Sequence, residues 1–180
     1  MQANLYKQYK EKIVPKLKVD LGLSNIMQVP KITKVVLNVG VGKHVKEASY
    51  IENVENTLSK ITGQKPVRTK AKKAISNFKS REGMEIGVVV TLRGPRMYQF
   101  LEKLLNVTFP RMRDFRGISP KAFDRQGNYS IGLKENSAFP EVKMTELDKV
   151  HGLQIVINTT AKNQKDGLAL LAAMGFPFAK

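Results

Sequence analysis

Two runs of β-branched residues, 32–41 (ITKVVLNVGV) and 84–93 (MEIGVVVTLR), constrain the fold more than any other feature of this sequence. Valine, isoleucine and threonine favour strands because a branched side chain packs well on a pleated surface. We therefore predict two buried strands at these positions. Shorter runs at 66–70 and 153–158 predict two further strands.

Four segments have the apolar spacing of helices. Residues 1–22 place an apolar side chain at every fourth position, and we expect the proline inside this segment to kink or divide the helix. In the next segment Ser49 is the predicted N-cap and Gly63 the predicted C-terminal stop. Two more helices are predicted at 95–105 and 165–174.

The order of these elements indicates the fold class. Strands and helices alternate without the tight βαβ rhythm of a doubly wound sheet, which predicts an α+β fold with a mainly antiparallel sheet. Helices are expected on one face of the sheet, and the other face is expected to be open. We predict a single domain over 1–180 with a basic loop at 70–83 and a long irregular segment at 108–140, which includes a hairpin near Gly127.

The charge of the chain indicates its partner. The net charge is +16, and residues 60–125 hold 16 Lys and Arg against 5 Asp and Glu, including all eight arginines. Such a chain repels itself unless it meets a polyanion. The planar guanidinium suits bidentate phosphate contacts and stacking on bases, so this segment is the predicted anion-binding surface.

Several kinds of site are disfavoured by the residues present. The sequence has no cysteine, which removes disulfides and thiolate metal sites, and its two histidines are far apart. The longest apolar run, 168–174, is too short to cross a bilayer, and the first residues lack a secretory signal. We expect a soluble cytoplasmic protein with no cofactor or metal, although a basic surface also suits an anionic membrane.

The glycine-rich stretch 35–47 (VVLNVGVGKHVKE) raises an enzyme hypothesis, because nucleotide-binding loops also place glycines and a lysine after a strand. A dinucleotide fingerprint needs a third glycine where Val45 stands, and a P-loop needs Ser or Thr where His44 stands. The glycines are therefore interpreted as the turn that ends a strand.

The basic loop combines the residue types that bind RNA. Lysines and an arginine surround Ser76, Asn77 and a single aromatic, Phe78. The cations can hold phosphates, the short polar side chains can bond ribose or base edges, and the ring can stack. A solvated basic loop is the plainer alternative.

Several motifs resemble a known family. They are KVVLNVGVG at 34–42, ITGQKPV at 61–67, KAISNFKSREG at 73–83, TLRG at 91–94, PRMRDFRGI at 110–118 and GNYSIGLKE at 127–135, and MQVPKI at 27–32 also fits. In this order, over nearly the whole chain, they resemble the bacterial form of large-subunit ribosomal protein five, which binds 5S rRNA.

The resemblance implies a non-enzymatic ribosomal protein. It would anchor 5S rRNA in the central protuberance of the large subunit, beside 23S rRNA and neighbouring large-subunit proteins. The basic loop would contact the tRNA in the peptidyl site. The irregular segment would form a bridge to the thirteenth protein of the small-subunit head.

Carried onto this sequence, the implied contacts fall into three groups. The residues predicted for 5S rRNA are Asn38, Gln64, Lys65, Arg68, Lys70, Thr91 and Arg93. Those predicted for the tRNA are Ser76, Asn77, Phe78, Lys79, Ser80 and Arg81. Those predicted for the intersubunit bridge are Arg111, Met112, Arg113, Asp114, Phe115 and Arg116.

Other interpretations stay open at the level of sequence. Asn38 and Thr91 could make ordinary cross-strand pairs, and the bridge segment could be a further rRNA contact. A general basic architectural protein would prefer duplex DNA or bind nucleic acid without regard to its fold. A nucleotide-dependent enzyme would bind nucleotide at the glycine stretch.

Overall fold

The β-branched runs form the centre of a five-stranded sheet in the computed structural model, which describes residues 3–45, 47–113, 115–142 and 150–179. The strands are β1 (Ile32–Gly40), β2 (Val67–Lys70), β3 (Glu85–Leu92), β4 (Tyr129–Leu133) and β5 (Leu153–Thr159). Their order in the sheet is β2-β3-β1-β5-β4. The sheet is antiparallel and carries helices, which confirms the predicted α+β fold.

The described residues also form α-helices at all four predicted positions. The helices are α1 (Asn4–Gln8), α2 (Val14–Asp20), α3 (Ala48–Thr62), α4 (Gly94–Lys103), α5 (Phe109–Arg111) and α6 (Gln164–Ala173). A π-helical turn, Tyr9–Ile13, joins α1 to α2, and another, Leu104–Thr108, joins α4 to α5. No helix in the described ranges has both the length and the apolar character needed to span a membrane.

The turn between α1 and α2 follows from the spacing of the buried side chains. Leu5, Tyr9, Ile13 and Leu17 are buried at every fourth position, whereas an α-helix has about 3.6 residues per turn. A wider π turn takes up part of that mismatch. Pro15, which has no N–H to donate, follows directly and lies in the first turn of α2.

The start of α3 corrects one prediction. Ser49 is not the N-cap, because α3 begins at Ala48 and the carbonyl of Glu47 accepts hydrogen bonds from the N–H groups of Tyr50 and Ile51. The predicted stop is confirmed: Gly63 adopts φ +66°, and its N–H donates to the Ser59 carbonyl at 2.8 Å. A left-handed residue at this position suits glycine.

The segment 108–140 is more regular than predicted. Its first residues are helical, and β4 lies inside it with Tyr129, Ile131 and Leu133 buried. The predicted hairpin is present before β4, where Asp124 Oδ1 accepts hydrogen bonds from the N–H groups of Gln126 and Asn128 at 2.9 and 2.7 Å. The strand was missed because only five residues carry the alternating pattern and one of them is glycine.

Packing divides the chain into two compact units. The first comprises Met1–Val35, Leu92–Ile131 and Val156–Lys180, and the second comprises Val36–Thr91 and Gly132–Ile155. Each has a buried apolar core, with Leu101 and Leu170 in the first and Val54, Leu58 and Val88 in the second. The expectation of a single domain stays a prediction.

Candidate nucleic-acid interface

The central strands of the second unit present one buried and one partly open face. Along β1, Leu37 and Val39 are buried and Asn38 between them is half-exposed. Along β3, Val90 is buried and Thr91 is half-exposed. Successive side chains of a strand point to opposite faces. Asn38 and Thr91 therefore both lie on the open side of their strands.

Two polar side chains, those of Thr69 and Asn38, lie on this open face beside Gly87 of β3. A methyl group at Gly87 would lie 2.7 Å from Thr69 Oγ1 and 3.7 Å from Asn38 Oδ1, so the hydroxyl and the carboxamide border the same glycine. Within the described part of the chain, neither side chain has a hydrogen-bond partner. Thr69 is a candidate that our sequence analysis missed.

Gln64 and Thr91, both predicted to contact 5S rRNA, are brought together by the structure. The Gln64 side-chain amide donates a hydrogen bond to the Thr91 carbonyl at 3.2 Å. Gln64 itself is positioned by Thr62, whose hydroxyl accepts a hydrogen bond from the Gln64 N–H at 3.3 Å. This bond leaves the oxygen of the Gln64 carboxamide and the hydroxyl of Thr91 available.

Arg68 has a different environment from the other predicted 5S contacts. It pairs with Val88 across β2 and β3, whereas Thr69 pairs with Gly87, so the two neighbours point to opposite faces. The Arg68 guanidinium contacts Glu55 of α3 at 2.8 Å and Glu85 at 3.1 Å. Hydrogen bonds to Glu55 and then to Glu85 raise the pKa of Arg68 above its ordinary value. The arrangement favours a structural ion pair over a phosphate contact.

The other predicted phosphate ligands are exposed. Lys65 and Lys70 belong to the second unit, and Arg93, at the N-terminus of α4, belongs to the first. Among the described residues these three cations have no ion-pair partner. Their charge is available to an anion.

The basic loop has a defined turn at its tip. Ile75 and Ser80 exchange two backbone hydrogen bonds, at 3.1 and 3.2 Å, around the 3₁₀ turn Ser76–Phe78. Lys79 closes the turn with φ +51°, the left-handed region that non-glycine residues seldom adopt. Phe78 is 79% exposed. An aromatic ring is thus held in solvent among cations.

The predicted bridge segment divides into exposed and packed side chains. Arg111, Arg113 and Arg116 are exposed, whereas Met112 is half-buried. The ring of Phe115 stacks on that of Phe109, with centroids 5.1 Å apart and planes at 12°. Asp114 lies outside the described residues.

The glycine stretch has the structure expected of a strand end. β1 ends at Gly40, a 3₁₀ turn covers Gly42–His44, and α3 begins at Ala48. Nowhere in the described residues do histidine, aspartate and glutamate side chains form a group that could hold a metal ion.

Comparison with known proteins assigns the chain to a family. Residues 25–81 match the family described as Ribosomal protein L5, and residues 85–178 match the ribosomal L5P family C-terminus. The chain belongs to the ribosomal protein L5 family. Two curated relatives named large ribosomal subunit protein uL5 are similar over nearly their whole length. The relative from Desulfatibacillum aliphaticivorans is 54% identical, covering 99% of both chains. The relative from Halothermothrix orenii is 55% identical, covering 97% of both.

Family membership has a direct consequence for function. A member of the ribosomal protein L5 family is a structural, non-enzymatic protein. The family match confirms the resemblance inferred from the motifs. The non-enzymatic character of the family rules out the nucleotide-dependent enzyme.

Proposed function

We propose that this chain, a structural constituent of the large ribosomal subunit, binds 5S rRNA through the open sheet face of its second unit and attaches it to the central protuberance. The cytoplasmic ribosome is its site of action. Asn38, Gln64 and Thr91 read sugar or base edges, and Lys65 and Lys70 hold phosphates.

The observation that carries this proposal is a set of available polar groups on a sheet with one partly open face. The opposite face of that sheet is buried and apolar. Nucleic-acid recognition combines cations for the phosphates with uncommitted donors and acceptors for bases and sugars. Asn38 and the Thr91 hydroxyl have no hydrogen-bond partner within the described ranges, and Lys65 and Lys70 of the same unit are exposed. Arg68 is left out of the proposed contacts because two carboxylates engage it. Arg93 remains a proposed phosphate ligand.

The tip of the basic loop is proposed to contact the tRNA in the peptidyl site. Phe78 would stack on an exposed base or ribose, and Lys79 and Arg81 would hold the backbone. Ser76, Asn77 and Ser80 supply short polar side chains around the ring. A preformed turn reduces the entropy lost on binding.

The exposed arginines of the bridge segment, Arg111, Arg113 and Arg116, are proposed to face a protein of the small-subunit head. Met112 and Phe115 would then support the segment, since Phe115 is stacked on Phe109. 23S rRNA and neighbouring large-subunit proteins complete the proposed partners.

The test of the main proposal is binding of the purified protein to 5S rRNA at several salt concentrations. An equal mass of tRNA or of duplex DNA serves as competitor. We expect tight binding that survives both competitors, because fixed donors and acceptors discriminate one RNA fold from another. Equal binding to all three, collapsing together as salt rises, would contradict the proposal and favour a general architectural protein.

A further inference from the structure

We propose that Thr69 and Asn38, brought together over Gly87, form a niche that binds one ribose 2′-hydroxyl of the RNA. The inference rests on the proposed function and deepens it, because it adds Thr69 to the contacts and gives the sheet face a means of distinguishing RNA from DNA.

The absence of a side chain at Gly87 permits the arrangement. A methyl group there would lie 2.7 Å from Thr69 Oγ1 and 3.3 Å from the carbonyl oxygen of Val39. Carbon and oxygen atoms that are not bonded to each other do not approach to 2.7 Å without displacement. Any other residue at this position would therefore force the Thr69 hydroxyl to move from its present place.

The two polar groups match the chemistry of a ribose hydroxyl. A 2′-hydroxyl both donates and accepts a hydrogen bond. Asn38 Oδ1 can accept a hydrogen bond from the 2′-hydroxyl, and the Thr69 hydroxyl can donate one to the 2′-oxygen. Both side chains are half-exposed, and neither has a hydrogen-bond partner in the described ranges.

The surroundings of the niche restrict what can enter it. The opposite faces of β1 and β3 are closed by buried Leu37, Val88 and Val90, so a ligand approaches only from the open side. Lys65 and Lys70 are exposed cations on the same unit, available to the phosphates that flank a ribose.

The test compares Thr69→Val, which removes the hydroxyl at nearly constant shape, with Thr69→Ser, which keeps it. We expect Thr69→Val to weaken binding of 5S rRNA by about tenfold and Thr69→Ser to bind like the unaltered protein. Gly87→Ala should reproduce the Thr69→Val loss. Thermal unfolding of each variant establishes that it is folded.

A second measurement uses four forms of 5S rRNA. In each form, all nucleotides of one base type (A, C, G or U) are replaced by their 2′-deoxy form. One of these four RNAs should bind the unaltered protein about tenfold more weakly and should show no further loss with Thr69→Val. The inference is overturned if, on every substituted RNA, the loss of affinity from the 2′-deoxy substitution multiplies with the loss from Thr69→Val.

The failures of the two proposals are distinguishable. If the unaltered protein does not select 5S rRNA, the proposed function fails and the niche with it. If it does select 5S rRNA and Asn38→Ala weakens binding while Thr69→Val has no effect, only the niche is refuted.

Discussion

At the scale of single residues, the face that a side chain occupies decides its role. Arg68 and Thr69 are neighbours on β2, yet Arg68 is held by Glu55 and Glu85 while Thr69 borders Gly87 on the open side. Both are polar residues in a basic part of the sequence. The strand register therefore assigns one to stability and leaves the other available to a ligand.

Replacing Asn38 or Thr91 by alanine is expected to weaken 5S rRNA binding by about 1 to 3 kcal/mol each, because a reader of the RNA loses its hydrogen bonds. The slope of log affinity against log salt should change little, since no charge is lost. Equilibrium titrations at several salt concentrations measure both quantities. Asn4→Ala, on the exposed start of α1, is the control, and full affinity in both test variants would contradict the proposed face.

Replacing Arg68 by glutamine is expected to lower the thermal unfolding temperature and to leave 5S rRNA affinity unchanged. The reason is that Glu55 and Glu85 lose their shared partner. Lys65→Gln is the matched control with the reverse expectation, weaker RNA binding at unchanged stability. A loss of affinity in Arg68→Gln equal to that in Lys65→Gln would return Arg68 to the phosphate contacts.

At the scale of elements, the basic loop is a short hairpin that presents one ring. Because Phe78 is 79% exposed, Phe78→Ala should leave protein stability unchanged. Binding of tRNA should weaken by about 1 to 3 kcal/mol, the usual value of stacking a base on an aromatic ring. Phe78→Tyr, which keeps a ring, serves as control. A tyrosine variant as weak as the alanine variant would argue against stacking.

The hairpin before β4 predicts a dependence of stability on pH. Burial tends to raise the pKa of Asp124, but hydrogen bonds from the Asn128 side chain and from the N–H groups of Asn128, Gln126 and Gly127 outweigh it, so the pKa lies below its ordinary value. The carboxylate therefore stabilises the fold above the unfolded-state pKa of about 3.9, and this contribution is lost as pH falls through the lower folded-state pKa.

The measurement is urea unfolding of the wild type and of Asp124→Asn between about pH 6 and about pH 2.5. The difference in stability between the two proteins should shrink as the solution is acidified. Asp20→Asn, on an exposed aspartate at the end of α2, provides the control. A difference that stays constant over this range would mean that Asp124 acts through shape alone.

At the scale of the whole molecule, the net charge of +16 makes affinity depend on salt. Each lysine that contacts a phosphate should contribute about 0.7 to 0.9 to the slope of log affinity against log salt. Lys65→Gln combined with Lys70→Gln should therefore flatten the slope for 5S rRNA by about twice that value. Lys12→Gln with Lys16→Gln, on the N-terminal helix, is the matched control. An equal effect of both pairs would show that the charge acts without a defined contact.

Much of this molecule could be predicted from the sequence because its strands are strongly patterned. The runs around β1 and β3 have many β-branched residues, and their buried and open faces follow from period two. The pairing of β2 with β3 could not be predicted, because it depends on contacts between distant segments. That pairing places Arg68 and Thr69 on opposite faces and Thr69 beside Gly87, so the sequence alone could not distinguish the environments of these two neighbours.

The position of β1 in the sheet has a consequence for how the chain folds during its synthesis. The Thr33 hydroxyl of β1 donates a hydrogen bond to the Asn158 carbonyl of β5 at 3.1 Å, across 125 residues of chain. A ribosome adds about 5 to 20 residues per second, so the central strand waits on the order of ten seconds for this neighbour. Helices α1 to α3 can form in that interval from local contacts. The sheet is therefore completed late, and in the nascent chain the side of β1 that pairs with β5 is still unpaired.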